Sequence, residues 1–230
     1  MVKRATLNLT KIPKQTLRQR IYEDLKSRII SGQILPGQVM TLNGLAKELG
    51  VSYMPVREAL WQLESQKIIV IESNKSIHVN SLTKKEMEEA LQLRLILETI
   101  AAEKACETIT RKQLPKIERL LTKMEECTDD RDQYMFLNRK FHSVIYSYID
   151  SPMLLDVISS IWARISPYIQ ILGTRFGDPN ISAECHRGMY DALLKKDKIR
   201  MKAWLRRDLN EAAKFILYHF DNALLPSDKD

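Results

Sequence analysis

The stretch 41–66, TLNGLAKELGVSYMPVREALWQLESQ, places an apolar-patterned run on either side of Gly50-Val51-Ser52. Thr41 stands where an N-cap belongs, ahead of Leu42 to Leu49, and Gly50 can end that run in the left-handed conformation. Ser52 can cap a second helix, about Tyr53 to Gln66. Pro55 falls in its first turn, where a missing N–H breaks no intrahelical bond. Ala46 is small where two helices would cross, and Val56 and Leu60 recur on one face. Two short helices joined by so tight a turn predict a helix-turn-helix.

The flanks extend this unit. Leu17, Ile21, Leu25 and Ile29 repeat every four residues within 14–31, an amphipathic helix ended by Gly32, and Leu35-Pro36-Gly37 is a turn. On the other side, Ile68 to Ile71 is a β-rich run, Glu72 to Ser76 a turn, and Ile77-His78-Val79 a second strand. Three helices and a strand pair form a winged unit over 15–80, behind a flexible N-terminus at 1–14. In such a unit the second helix of the pair enters the major groove with its first residues at the base edges.

Charge agrees with that geometry. Residues 1–80 hold 12 Lys/Arg against 6 Asp/Glu, and the remaining 150 hold 24 against 23. Nearly all of the formal +7 therefore lies in the first third, where a polyanion is the expected partner.

From Ser81 the pattern turns helical, with segments near 83–108, 111–127, 131–149, 152–172, 181–195 and 197–224. The domain boundary is expected at Asn80–Thr83, with an all-helical domain over 81–225. The fold class is mainly α: an N-terminal winged helix-turn-helix with a small β wing, and a C-terminal antiparallel helical bundle.

No apolar run approaches the ~20 residues that span a bilayer. The basic start has no apolar stretch behind it, so no secretory signal is expected. Cys106, Cys127 and Cys185 form no CxxC pair. A cytoplasmic protein without membrane association fits these features. Neither HExxH nor a nucleophile elbow nor a glycine-rich phosphate loop occurs, so enzyme activity is not expected.

Leu35-Pro36-Gly37, Leu45-Ala46, Gly50-Val51-Ser52 and above all Pro55-Val56-Arg57-Glu58-Ala59-Leu60 resemble the GntR family of bacterial transcription regulators. Here Arg57 can fork onto guanine or grip phosphate, with a surface ion pair to Glu58 or Glu64 as the alternative. Ser52, Tyr53 and Met54 occupy the groove-facing end, and Lys47 and the wing-tip Lys75 suit backbone contacts. Tyr53 stands where the family usually has Arg, Asn43 where it usually has a charge, and Lys75-Ser76 where its wing usually has Arg-Gly. The resemblance therefore implies kept docking geometry with altered base preference.

The remainder resembles the FCD effector domain of the FadR subfamily, through Arg94, Leu97-Glu98, Ala101-Ala102, Phe141-His142 and Leu193 to Asp197. In that family's metal-binding branch one Asp and three His converge on a divalent cation. Carried onto this chain, those positions are Asn138, His142, His186 and Asp208, so two ligands differ in type. Two imidazoles, a carboxylate and an amide carbonyl could hold Zn²⁺, Ni²⁺ or Mn²⁺. The alternative is a polar cavity whose groups bond each other, water or an organic ligand directly. Arg94 is the candidate receiver of a carboxylate effector, alongside Asn138, His142 and His186, with an ion pair to Glu98 as the alternative. Trp61, Trp162 and Trp204 are expected in the core or an interface, His78 as a strand residue, and His219 near a helix end.

The resemblance implies a ligand-responsive regulator, a repressor by expectation. It would work as a homodimer on a pseudo-palindromic double-stranded operator and answer to a small organic acid. Two other readings stay open: an architectural nucleic-acid-binding protein without effector, and a metal-dependent hydrolase or lyase.

Overall fold

Helix α1 (Leu17–Ile30) begins at Thr16, whose hydroxyl accepts from the Gln19 N–H, and buries Ile21, Tyr22, Leu25 and Ile29. Fully burying side chains of this size contributes roughly 1.5–3 kcal/mol each. Burial rather than helix propensity therefore holds a helix with three isoleucines. Helices α2 (Leu42–Leu49) and α3 (Tyr53–Ser65) cross at buried Ala46, with Val56 and Leu60 facing inward as their spacing predicts. The turn between them needs Gly50, at φ +64°. This computed structural model describes residues 16–72, 76–127, 130–173 and 179–223. The expected N-terminal arm, residues 1–14, and Lys75 lie outside them.

Strands β1 (Val39–Met40), β2 (Ile69–Ile71) and β3 (Ile77–Val79) form an antiparallel sheet in the order β1-β3-β2. Ile77 pairs with both Met40 and Ile71, and the Gly37 N–H donates to the Val79 carbonyl at 2.9 Å. Strand β1 is an addition to the two strands expected; two residues carry no readable alternation. Ser52 corrects another expectation. It occupies the N-cap position of α3, but its side chain makes no capping bond.

The helical part comprises α4 (Lys84–Thr108), α5 (Leu114–Glu126), α6 (Arg131–Tyr146), α7 (Pro152–Gly173), α8 (Pro179–Lys195) and α9 (Lys198–Ala223). A reciprocal Thr83–Glu86 capping box starts α4, and the Asp130 carboxylate starts α6 by accepting from the Gln133 N–H. One apolar core joins the second half of α4 to α5, α6, α8 and the first half of α9. A second joins the first half of α4 to α7 and the end of α9, with Tyr168 stacked on Phe220. Helix α6 stops three residues earlier than its pattern suggests, and α8 starts two residues earlier.

Helix α7 also meets the head. Its Ala163 sits in the head's own core with Ile29, Ile68 and Val79. The Tyr168 hydroxyl accepts from the Leu82 N–H at 2.6 Å, at the join between wing and α4. Pro167 lies inside α7 and offers no N–H to the carbonyl of Ala163. Among the described residues no helix is long and apolar enough to cross a membrane.

Candidate nucleic-acid interface and metal centre

The front of α3 is exposed. Ser52, Tyr53, Met54 and Arg57 all face solvent, as does Lys47 on α2. With Ser52 making no capping bond, the first N–H groups of α3 are left for another acceptor at the helix end that favours anions. Arg57 Nη2 lies 3.0 Å from Met54 Sδ, and its guanidinium carbon lies 5.1 Å from the Trp61 ring centroid. Among the described residues no carboxylate pairs with Arg57; Glu64, one alternative partner, accepts instead from the Ile71 N–H at 3.2 Å. Trp61 is 54% exposed on this surface rather than in the core, whereas Trp162 and Trp204 pack against the helical core. His78 is half-buried on β3, with Nδ1 3.7 Å from Glu72.

The second group lies inside the helical part. His142 on α6, His186 on α8 and Asp208 on α9 are buried, with one donor atom of each within 4.8 Å of the others. The two Nε2 atoms are 3.2 Å apart, and the Asp208 carboxylate oxygens lie 3.4 Å from His142 Nε2 and 3.7 Å from His186 Nε2. Phe141 packs edge-on with both imidazoles, its ring centroid 5.6 Å from that of His142 and 5.1 Å from that of His186. Asn138 stands one turn before His142 on α6, and its Oδ1 is buried without a hydrogen-bond partner among the described residues, as is His186 Nδ1. Ser182 reaches Asp208 at 3.3 Å and accepts from Tyr134 at 3.0 Å. Glu184 instead pairs with Arg207, apart from this group.

Electrostatics prepare these donors. Burial pushes His186 down to about 4, so it is neutral near pH 7. Burial alone would raise Asp208, but the neighbouring His186 and His142 and the more distant Arg94 outweigh it and hold the carboxyl at about 2. Two ligand atoms about 2.0–2.1 Å from one tetrahedral metal lie about 3.4 Å apart. The 3.2 and 3.4 Å separations suit that, and the third is slightly wide. A neutral His186, an ionised Asp208 and the His142 imidazole make a donor set that fits a divalent cation, and the unpartnered Asn138 amide oxygen lies one turn away from His142 on the same helix.

Behind this set stands Tyr146, which sequence reasoning passed over. Tyr146 donates to Glu98 Oε2 at 2.7 Å and lies 3.4 Å from His142 Nδ1. Glu98, fully buried, also accepts from Arg94 Nε at 2.6 Å, so the alternative reading of Arg94 as an ion pair is present. A carboxylate effector at Arg94 would use the remaining edge of the guanidinium. The guanidinium sits 4.1 Å from the Trp162 ring centroid on α7. One signal was available: Tyr146 follows His142 by four residues, as Glu98 follows Arg94.

Comparison with known proteins places both halves. Residues 17–79 match the gntR family of bacterial regulatory proteins, and residues 89–211 match the FCD domain. The HTH-type transcriptional regulator McbR of Escherichia coli K12 is 29% identical over 198 residues, covering 85% of this chain and 89% of that protein. The gluconate operon transcriptional repressor of Bacillus subtilis 168 is 33% identical over 153 residues, covering 66% of this chain and 61% of its own length. The solved structure of E. coli McbR/YncC superposes with a TM-score of 0.81 at 28% identity, covering 90% of this chain and 99% of that one.

Proposed function

The chain belongs to the gntR family of bacterial regulatory proteins, with an FCD domain behind its winged head, and on that premise we propose a cytoplasmic repressor released or engaged by a small organic acid. It is a transcriptional regulator and not an enzyme. Its head reads double-stranded DNA with Arg57 at the base edges, Ser52, Tyr53 and Met54 beside it, and Lys47 and Lys75 on the backbone. The observation that carries this reading is the outward-facing guanidinium at the front of α3, which no carboxylate among the described residues holds.

One head meets only a few base pairs, so two heads on a pseudo-palindrome, with half-sites ~34 Å apart, are required for a specific operator. A homodimer supplies them. Leu93, Ile96 and Ile100 lie exposed on one face of α4, an apolar stripe suited to a second copy.

His142, His186, Asp208 and Asn138 would hold one divalent cation, with Zn²⁺, Ni²⁺ and Mn²⁺ as candidates. A bound cation offers a Lewis-acid anchor for an effector carboxylate, and Arg94 adds a cationic wall. Coupling to DNA follows from differential affinity for the two head arrangements, typically ~1–3 kcal/mol. The test is elemental analysis of the purified full chain, with operator affinity measured by fluorescence anisotropy before and after metal removal. One equivalent of transition metal and a changed affinity on chelation support the reading. A metal-free protein with chelator-insensitive DNA binding removes the cation from it.

A further inference from the structure

The two imidazoles of the centre differ in one respect. His142 has a partner for its outer nitrogen, Tyr146, while His186 Nδ1 is buried with none among the described residues. A metal-binding imidazole nearly always donates its outer N–H to a fixed acceptor, which sets the tautomer and the ring orientation.

The hydrogen-bond inventory decides which tautomer His142 takes. The Tyr146 hydroxyl has a single proton, and the 2.7 Å contact commits it to Glu98. Glu98 is fixed in turn by Arg94, which approaches its other oxygen at 2.6 Å. The tyrosine oxygen therefore faces His142 Nδ1 with lone pairs. If His142 carried its proton on Nε2, Nδ1 and the tyrosine oxygen would be two acceptors facing each other. His186 Nε2, 3.2 Å away, would then have to accept from His142, forcing the His186 proton onto its partnerless Nδ1. That arrangement buries an unpaired N–H, a rare and costly outcome. With the His142 proton on Nδ1, His186 keeps its own on Nε2, facing His142 Nε2 and Asp208, and only a ring lone pair is left without a partner.

Asp208 competes for the opposite result. Its carboxylate lies 3.4 Å from His142 Nε2, as far as Tyr146 lies from Nδ1, and favours a proton on Nε2. Satisfaction of the whole network breaks the tie.

We infer that Tyr146, held by Glu98, is a positioning residue that presets His142 as the Nδ1–H tautomer, leaving its Nε2 lone pair aimed at His186 and Asp208. His142 is then the pre-formed anchor of the centre, and His186 is the ligand that must move its proton when a cation enters. The consequence for metal binding rests on the function proposed above; the tautomer does not. Arg94 and Trp162 continue the chain of contacts to α7, which packs on the head.

The test uses the metal-free full chain labelled with ¹⁵N-histidine. Long-range ¹H–¹⁵N correlation spectra are expected to show His142 as Nδ1–H in the wild type. In Tyr146→Phe, which keeps the ring and removes the oxygen, His142 is expected to move toward Nε2–H as Asp208 takes over. Titration with Zn²⁺ alone is expected to show an affinity loss of roughly tenfold or more in Tyr146→Phe. A wild-type His142 protonated on Nε2, or the same tautomer in both proteins, overturns the inference. Should Tyr146→Phe fail to fold, the wild-type spectrum alone decides. A wild type that binds no Zn²⁺ removes the cation from the proposed function, and the tautomer pattern still upholds or overturns the positioning role.

Discussion

Arg57 can serve a reading surface because nothing acidic among its described neighbours holds it, while Met54 and Trp61 limit where it swings. Trp61 is exposed, so Trp61→Ala should leave folding intact and remove the ring beside the guanidinium. An exposed cation–π contact is worth about 0.5–1 kcal/mol, which corresponds to roughly two- to fivefold weaker binding. Anisotropy on a duplex selected from a random pool by the wild type would read this, and unchanged affinity would show that the ring does not position Arg57. His186 makes a separate prediction about pH. Its folded value, about 4, lies below an unfolded histidine at about 6.5, so the folded chain takes up fewer protons between them. Its contribution to the metal-free protein is therefore intact above about pH 6.5 and declines as pH falls toward 4, with Asp208 adding its loss only below that. Urea midpoints should drop between pH 7 and 5, and less in His186→Ala. The family-matched residues were legible at this scale. Tyr146 was not, because it finds Glu98 48 positions away along the chain.

At the scale of elements, α8 and α9 approach so closely at Gly188 that an added Cβ would meet the Trp204 ring at 2.4 Å. Gly188→Ala must displace that ring or the helices. Overpacking of this kind costs typically about 1–3 kcal/mol. A lowered thermal midpoint, with weaker Zn²⁺ binding because His186 and Asp208 ride on the same pair of helices, is the expected result. An unchanged midpoint would mean that the helices separate freely. The long helices were readable because their apolar residues recur with helical period; of the side-chain caps only Thr41, before the short α2, was read from sequence, and Thr16, Thr83 and Asp130 emerge from the structure. What escaped was pairing across the chain: the two-residue strand β1, the Gly188–Trp204 contact, and the double service of α7, whose Ala163 completes the head's core. No local period announces a residue that packs outside its own domain.

The molecule as a whole sets a polar centre among α6, α8 and α9, well inside the helical part, and the exposed front of α3, with Arg57, on the outside of the head. Between them, the buried Tyr146, Glu98 and Arg94 and the half-buried Trp162 form a line of contacts from the centre to α7, and α7 bears on the head through Ala163 and Tyr168. This arrangement lets a change at the centre reach the head through packed groups, provided the two sites bias the same helix. All of it presupposes that the front of α3 docks in the major groove. The direct measurement compares wild type with Arg57→Ala on the selected duplex and on an unrelated one, across a salt series. A correctly folded Arg57→Ala is expected to bind the selected duplex with an affinity close to that for the unrelated one, a loss of about 1–3 kcal/mol per head. Undiminished affinity and unaltered sequence preference in that variant would contradict this docking.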